Sequence, residues 1–174
     1  MALISMGDNG MARHENITNV NDLDWESGGN RDKFAFERKW FTPKVGGEKL
    51  GCSLYRVPPG KTAFPFHKHF TNEEAIYVLA GKGTMRLDDQ EFEVGPGDYI
   101  ALPPEGPNHQ LINTGGADLD YLCISTMIHP DITLFPDSDK VIAFAGSGPG
   151  GDKSMRSFFG IYKAGSAVGY YDDE

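Results

Sequence analysis

Residues 60–81 read GKTAFPFHKHFTNEEAIYVLAG, and residues 97–113 read GDYIALPPEGPNHQLIN. Each stretch carries a short apolar run, AIYVLA or HQLIN, set off by glycine and proline, the composition of a strand between turns. His67 and His69 stand one residue apart, so in an extended segment both imidazoles project from one face and Lys68 from the other. The same texture continues outward through FAFERKWF, KLGCSLYRV, TMRL, FEV, YIALP and LDYLCIST. Breakers such as VPPGK, LAGKG, LDDQ, VGPGD and NTGGAD fall between these runs. No helical stripe interrupts the pattern, which predicts an all-β sandwich or small barrel.

Length and composition agree with that expectation. A chain of 174 residues matches one domain. A hydrophobic fraction of 39% is too high for a disordered chain, while 22 Gly and 11 Pro suit many strands joined by turns. Three segments are expected. Residues 1–33, polar and rich in Asn, Asp and Gly, read as an N-terminal arm; residues 34–146 form the barrel, with VIAFAG as one more strand; residues 147–174 form a C-terminal tail. Phe158, Phe159, Tyr162, Tyr170 and Tyr171 are too many aromatics for a linker, so the tail is expected to pack on the barrel or on a partner subunit. No internal repeat points to a second barrel.

Sixteen Lys and Arg against 25 Asp and Glu leave a net charge of −9 with no basic cluster, which argues against nucleic acid as a partner. The opening MALISMGDNG lacks the charged and apolar regions of a signal peptide, and no apolar stretch reaches bilayer length. No membrane association and a cytoplasmic location are expected. Cys52 and Cys123 lie far apart within apolar runs and read as free thiols of the core.

A His-x-His pair alone is weak evidence, since buried histidines are often only hydrogen-bonded. The reading sharpens because Glu74 follows His69 at the start of a strand and His109 stands after the PPEGPN turn with Asn113 beyond it. Here the sequence resembles the cupin superfamily. Gly60, a spacer, His67-Lys68-His69, four residues, Glu74, six residues and Gly81 match the first motif of that family. Gly97, a spacer, Pro104-Glu105-Gly106, two residues, His109, three residues and Asn113 match the second. Both spacers hold six residues where five are usual, and both insertions precede the ligands.

The resemblance implies a jelly-roll barrel of the kind found in small cupins of the sugar phosphate isomerase type. It also implies a homodimer and one divalent transition metal, Mn, Fe, Ni, Co or Zn, held by His67, His69, Glu74 and His109. Three imidazoles and a carboxylate, with no thiolate, suit such ions. Glu73 is expected on the opposite face from Glu74 and solvated. Gly60, Gly81, Gly97 and Gly106 are read as turn residues of positive φ, and Asn113 as a tie for the strand after His109. His14 and His129 are read as surface residues, and Tyr55, Arg56, Tyr77, Arg86 and Tyr99 as core aromatics or surface charges.

The ligand set serves two enzyme classes. One is sugar or sugar phosphate isomerases, which need a general base and a cationic phosphate site; the other is dioxygenases or decarboxylases acting on organic acids. Lys61, Lys68, Arg56 and Arg86 are the candidate cations, but the acidic chain offers no concentrated positive mouth. A non-catalytic small-molecule sensor is the third reading, ranked below a metalloenzyme. No catalytic residue beyond the ligands is assigned.

Overall fold

The structure, a computed structural model, describes residues 5–6, 12–30 and 32–172. The rest of the arm expected over 1–33, and residues 173 and 174 of the tail, lie outside the described residues. The chain begins with a small hairpin of β1 (Ser5–Met6) and β2 (Ala12–Arg13). It runs on through β3 (Glu26–Gly29), β4 (Ala35–Trp40), β5 (Leu50–Val57), β6 (Lys68–His69), β7 (Glu74–Ala80), β8 (Gly83–Leu87), β9 (Gln90–Val94) and β10 (Tyr99–Leu102). Then come β11 (His109–Ile112), β12 (Leu119–Thr126), β13 (Asp131–Phe135), β14 (Lys140–Ala145) and β15 (Phe158–Lys163). Among the described residues the helical elements are single 3-10 turns, and no helix is long and apolar enough to cross a membrane.

The strands form a jelly-roll barrel of two layers, all its ladders antiparallel. One layer has the order β10-β7-β12-β5-β4-β3. The other is built from β11-β8-β9 and from β15-β14-β13-β6, joined where His67, just before β6, bridges to His109 at the start of β11. The alternation of strand side chains fills the space between the layers. On β7, Ile76 and Val78 are buried while Tyr77 and Leu79 are exposed. Val57, Val78, Met85 and Leu119 are almost wholly buried, each worth roughly 1.5–3 kcal/mol of apolar burial. They hold one end of the barrel shut.

Backbone geometry fixes the turns that carry the site. Gly81 ends β7 at φ +82°, and a Cβ there would stand 2.3 Å from the Asp118 carbonyl oxygen, so both conformation and space demand glycine. Gly60 and Gly97 also have positive φ, but Gly106 does not; its expected positive φ belongs to Glu105, at 58°. Gly106 is required by contact instead, since a Cβ would approach the Pro103 carbonyl oxygen to 2.8 Å. Asn113 is fully buried, donating to the carbonyls of Val57 and Ala117 and accepting from the Gly115 amide.

The regions flanking residues 34–146 also contribute strands. β3 joins the edge of the larger layer by pairing with β4, and its Ser-Gly-Gly has no apolar period from which a strand could be read. A Cβ at Gly28 would lie 2.3 Å from the Phe36 ring, so this pairing depends on the missing side chain. At the other end β15 pairs with β14 along its whole length. Phe159 and Ile161 thereby reach the space between the layers.

Candidate metal centre

His67 and His109 form one backbone pair. The His67 amide donates to the His109 carbonyl at 3.1 Å, and the His109 amide donates to the His67 carbonyl at 2.7 Å. Their rings lie 4.5 Å apart. His69 sits two residues further on β6 on the same face, and Glu74 opens β7 opposite Leu102 and Ser125. Glu73, one residue earlier, is exposed, and its amide is held by the Thr126 hydroxyl. Strand alternation alone decides which of the two glutamates faces in.

Each imidazole is oriented through its Nδ1. His67 Nδ1 lies 2.7 Å from the Pro65 carbonyl oxygen, His109 Nδ1 lies 3.3 Å from that of Pro107, and His69 Nδ1 lies 2.6 Å from Asp131 Oδ2. A carbonyl or carboxylate oxygen only accepts, so the protons of neutral His67 and His69 sit on Nδ1 and their Nε2 lone pairs are left bare, whereas His109 has an acceptor 3.3 Å from either nitrogen, the Pro107 carbonyl at Nδ1 and Glu74 Oε2 at Nε2. The three Nε2 atoms approach one carboxylate: His109 at 3.3 Å and His67 at 3.9 Å from Glu74 Oε2, and His69 at 3.9 Å from Glu74 Oε1. The ligand atoms of His67, His69 and Glu74 lie within 4.8 Å of one another. Donors held about 2.1 Å from one ion stand roughly 3–4 Å apart. His109 stands outside that group of three and reaches it through Glu74; the three repel unless a cation or protons lie between them, so they fit a divalent ion, with His109 beside them.

Electrostatics describe the same crowding. Burial, with the neighbouring charge of His109, lowers the His67 pKa to about 4. Burial also pulls His69 down, but its hydrogen bond to Asp131 and the charge of Glu74 outweigh that, and its pKa is raised. Burial pushes Glu74 up, yet the His109 hydrogen bond and the histidine charges bring its carboxyl down to about 2. Glu74 is therefore anionic at neutral pH.

Asp131 was not among the residues singled out from the sequence. It is 1% exposed, takes the His69 Nδ1 proton and also accepts from the Thr71 amide at 2.9 Å. Its sequence context, IHPDIT, resembles an exposed turn, and nothing there announces that β13 pairs with β6.

The four side chains line a cavity of about 560 Å³, a usual size for a small-molecule pocket. Tyr55, Phe64, Ile76, Tyr121, Phe135 and Ile142 give it a largely apolar wall. Burial raises the pKa of Tyr55, Tyr121 and Cys123, so phenols and thiol stay protonated. Cys52 and Cys123 are free, as expected, although neither is fully buried.

The candidate cations lie elsewhere. Arg56 is paired with Asp120, Arg86 with Asp137, Lys61 holds the Asp32 carbonyl and Lys68 lies over Phe70; none of the four lines the cavity. The expectation that the acidic chain has no concentrated positive region is also corrected. Arg38, Lys140, Lys153 and Arg156 all line this cavity, drawn from β4, β14 and the segment before β15, a convergence that net charge does not reveal. Tyr55 lines the cavity, whereas Tyr77 and Tyr99 are exposed.

A jelly-roll barrel with this inward-facing set is the architecture of a cupin. Residues 53–125 match the cupin domain family (Cupin_2). The chain is 46% identical over 79 residues to an uncharacterized protein of Methanocaldococcus jannaschii, covering 45% of this chain and 62% of that one. It is 29% identical over 73 residues to an oxalate-binding protein of Thermotoga maritima, covering 42% and 59%. It is 31% identical over 83 residues to a quercetin 2,3-dioxygenase of Bacillus subtilis, covering 46% and 25%. The matches thus span less than two thirds of each of these relatives. Among solved structures, a protein of Acidithiobacillus ferrooxidans superposes with a TM-score of 0.76 at 22% identity, covering 88% of this chain and 96% of that one. A sugar phosphate isomerase from a cupin superfamily, from Silicibacter pomeroyi, gives 0.70 at 20% identity, covering 87% and 96%. At such identities these two establish the fold alone.

Proposed function

We propose that the chain is a metal-dependent enzyme acting on a small organic acid, of the dioxygenase or decarboxylase type, with His67, His69, Glu74 and His109 as the metal ligands. The observation that carries the reading is the arrangement of three imidazoles whose Nε2 atoms all face the Glu74 carboxylate, with the Nδ1 protons of His67 and His69 engaged by Pro65 and Asp131. A divalent ion bound there supplies Lewis acidity and, if iron or manganese, redox chemistry. The protein's own part is to bind and orient the organic acid, exclude water with the apolar walls, and keep Tyr55 and Tyr121 protonated as hydrogen-bond donors.

The choice over a sugar phosphate isomerase rests on the missing free carboxylate base; the other basic side chains on the wall outside the ligand set are Lys140 and Lys153, with Arg38 and Arg156. Isomerisation moves a proton between neighbouring carbons and needs a basic side chain beside them. Among the described residues, Glu74 is the only carboxylate lining the cavity, and it is committed as a ligand. The oxalate-binding and quercetin dioxygenase relatives lean the same way. A homodimer is supported by the exposed apolar side chains of Tyr77, Leu79, Phe92 and Tyr99 on outer strands; light scattering giving twice the chain mass checks it.

The test is metal analysis with turnover. Purified protein is expected to hold about one transition-metal ion per chain and to consume oxygen or release carbon dioxide from an organic acid, and Glu74→Gln to lose both. Wild-type protein with no more metal than His67→Ala would overturn the ligand assignment, and conversion of a sugar phosphate without gas exchange would overturn the reaction class.

A further inference from the structure

The cavity has a second end, and its charge is opposite to that of the ligand set. β7, β12, β5 and β4 are successive neighbours, so Arg38 on β4 lies three interstrand steps from Glu74 on β7, about 14 Å across the layer at about 4.8 Å per step. Arg38 stacks on Trp40, its guanidinium carbon 4.3 Å from the ring centroid. Trp40 in turn meets Gly150, where a Cβ would lie 2.9 Å from the indole. The adjacent Pro149 carbonyl accepts from Arg156 at 3.2 Å. Arg38 and Arg156 therefore share one corner, with Lys140 and Lys153 also on the cavity wall.

The corner is built and unsatisfied. Arg156 is held near the rings of Phe144 and Phe159, at 4.8 Å and 5.3 Å. Arg38 gives one amino group to Glu26 at 2.7 Å. Among the described residues, Nε of Arg38 and Nε of Arg156 are buried with no hydrogen-bond partner, and Lys140, Lys153 and Arg156 have no carboxylate partner. A buried guanidinium donor left unpaired is costly. The cavity wall also carries Tyr55, Tyr121, Ile142 and Phe144, with Ser53 and Ser125 among them.

We propose that the cavity takes an amphipathic organic anion: a carboxylate or phosphate group bound by Arg156 and Arg38 at the outer corner, an apolar or aromatic body along the wall, and the reacting end toward the histidines. Only the placement of the reacting end rests on the proposed function; the anion corner stands on its own residues. The planar forks of the two arginines suit either anion, because both offer paired oxygens. A free sugar phosphate satisfies the corner but not the wall.

Calorimetry on the metal-loaded protein tests this with 4-phenylbutyrate, 4-phenylbutyl phosphate, 4-phenylbutan-1-ol and fructose 6-phosphate. Both aromatic anions are expected to bind about tenfold or more tightly than the alcohol, and the aromatic phosphate about tenfold more tightly than the sugar phosphate. The better of the two aromatic anions names the group the corner prefers. Arg156→Gln is expected to weaken both aromatic anions about tenfold and leave the alcohol within about twofold, with Arg156→Lys recovering part of the loss. Equal binding of alcohol and anions, no binding by either anion, sugar phosphate binding as tight as the aromatic phosphate, or anion binding untouched by Arg156→Gln would overturn the proposal. Repeating the titrations after chelation separates the two readings. Arg156-dependent binding by a protein that holds no metal retires the ligand set and keeps the anion site. Full metal content with Arg156-independent binding does the reverse.

Discussion

Replacing Asp131 by Asn changes a single atom type and tests how the metal centre is held. Two donors face this buried carboxylate: the His69 Nδ1 proton at 2.6 Å on Oδ2 and the Thr71 amide at 2.9 Å on Oδ1. Burial opposes ionisation of Asp131, but the His69 hydrogen bond, the Asn72 side chain and then the His69 charge and Thr71 amide hold its pKa below the ordinary value, so the group is anionic. An amide offers one oxygen where two acceptors are needed. If that oxygen stays on Thr71, the amide donates to His69 Nδ1, the ring proton moves to Nε2, and the lone pair facing Glu74 is lost. If it turns to His69, the Thr71 amide is orphaned at a cost of about 1–3 kcal/mol. Either way metal affinity should fall about 10- to 100-fold, the usual effect of removing a carboxylate behind a ligating imidazole. Competition against a chelator of known affinity measures the loss, and melting of chelated wild-type and variant protein checks that both are folded. An Asp131→Asn protein that is folded and binds metal within about twofold of wild type would show that His69 does not depend on this tautomer.

His67→Ala and His109→Ala should lose most of the bound metal while circular dichroism stays that of a folded barrel, because the core around Val78 and Leu119 does not involve the ligands. Glu74→Gln should weaken metal binding strongly and Glu73→Gln hardly at all; equal losses in metal titrations would mean the register of β7 is misread. In chelated protein, His67 with its pKa at about 4 rather than 6.5 stays neutral in the fold while the unfolded chain takes up a proton. Its contribution is therefore present above pH 6.5 and is lost as pH falls toward 4, by at most about 3 kcal/mol. His69, raised, works in the opposite sense, and Glu74 adds a further loss only below its unfolded value of 4.5, so urea unfolding at pH 7 and pH 5 should show a smaller net drop. Asn113→Ala removes a fully buried side chain that satisfies three backbone groups and should cost about 2–4 kcal/mol, read as a shift in the urea midpoint without loss of metal stoichiometry.

The fold was legible because its cues are local. Alternation in AIYVLAG and glycine-proline punctuation between short apolar runs depend only on neighbours a few residues apart. Glu74 could be separated from Glu73 by the same period, and His109 joined His67 and His69 as an expected ligand through two motifs whose spacings are read along the chain; that His67 and His109 pair through their backbones was not read there. β3 escaped because Ser-Gly-Gly pairs through its backbone and carries no side-chain signal. Gly106 was read as a positive-φ residue because composition cannot distinguish a glycine needed for its torsion from one needed for its lack of a Cβ.

By itself, then, the sequence determined a β barrel and brought forward His67, His69, Glu74 and His109, since strand period and motif spacing act over short separations. Only the tertiary structure decided what surrounds those four side chains. Asp131 reaches His69 because β13 pairs with β6 across some sixty residues, and Trp40, on which Arg38 stacks, meets Gly150 in the segment before β15. Such neighbours are set by how sheets stack and close, and no periodicity in the chain encodes which residue of one layer will face a given residue of the other.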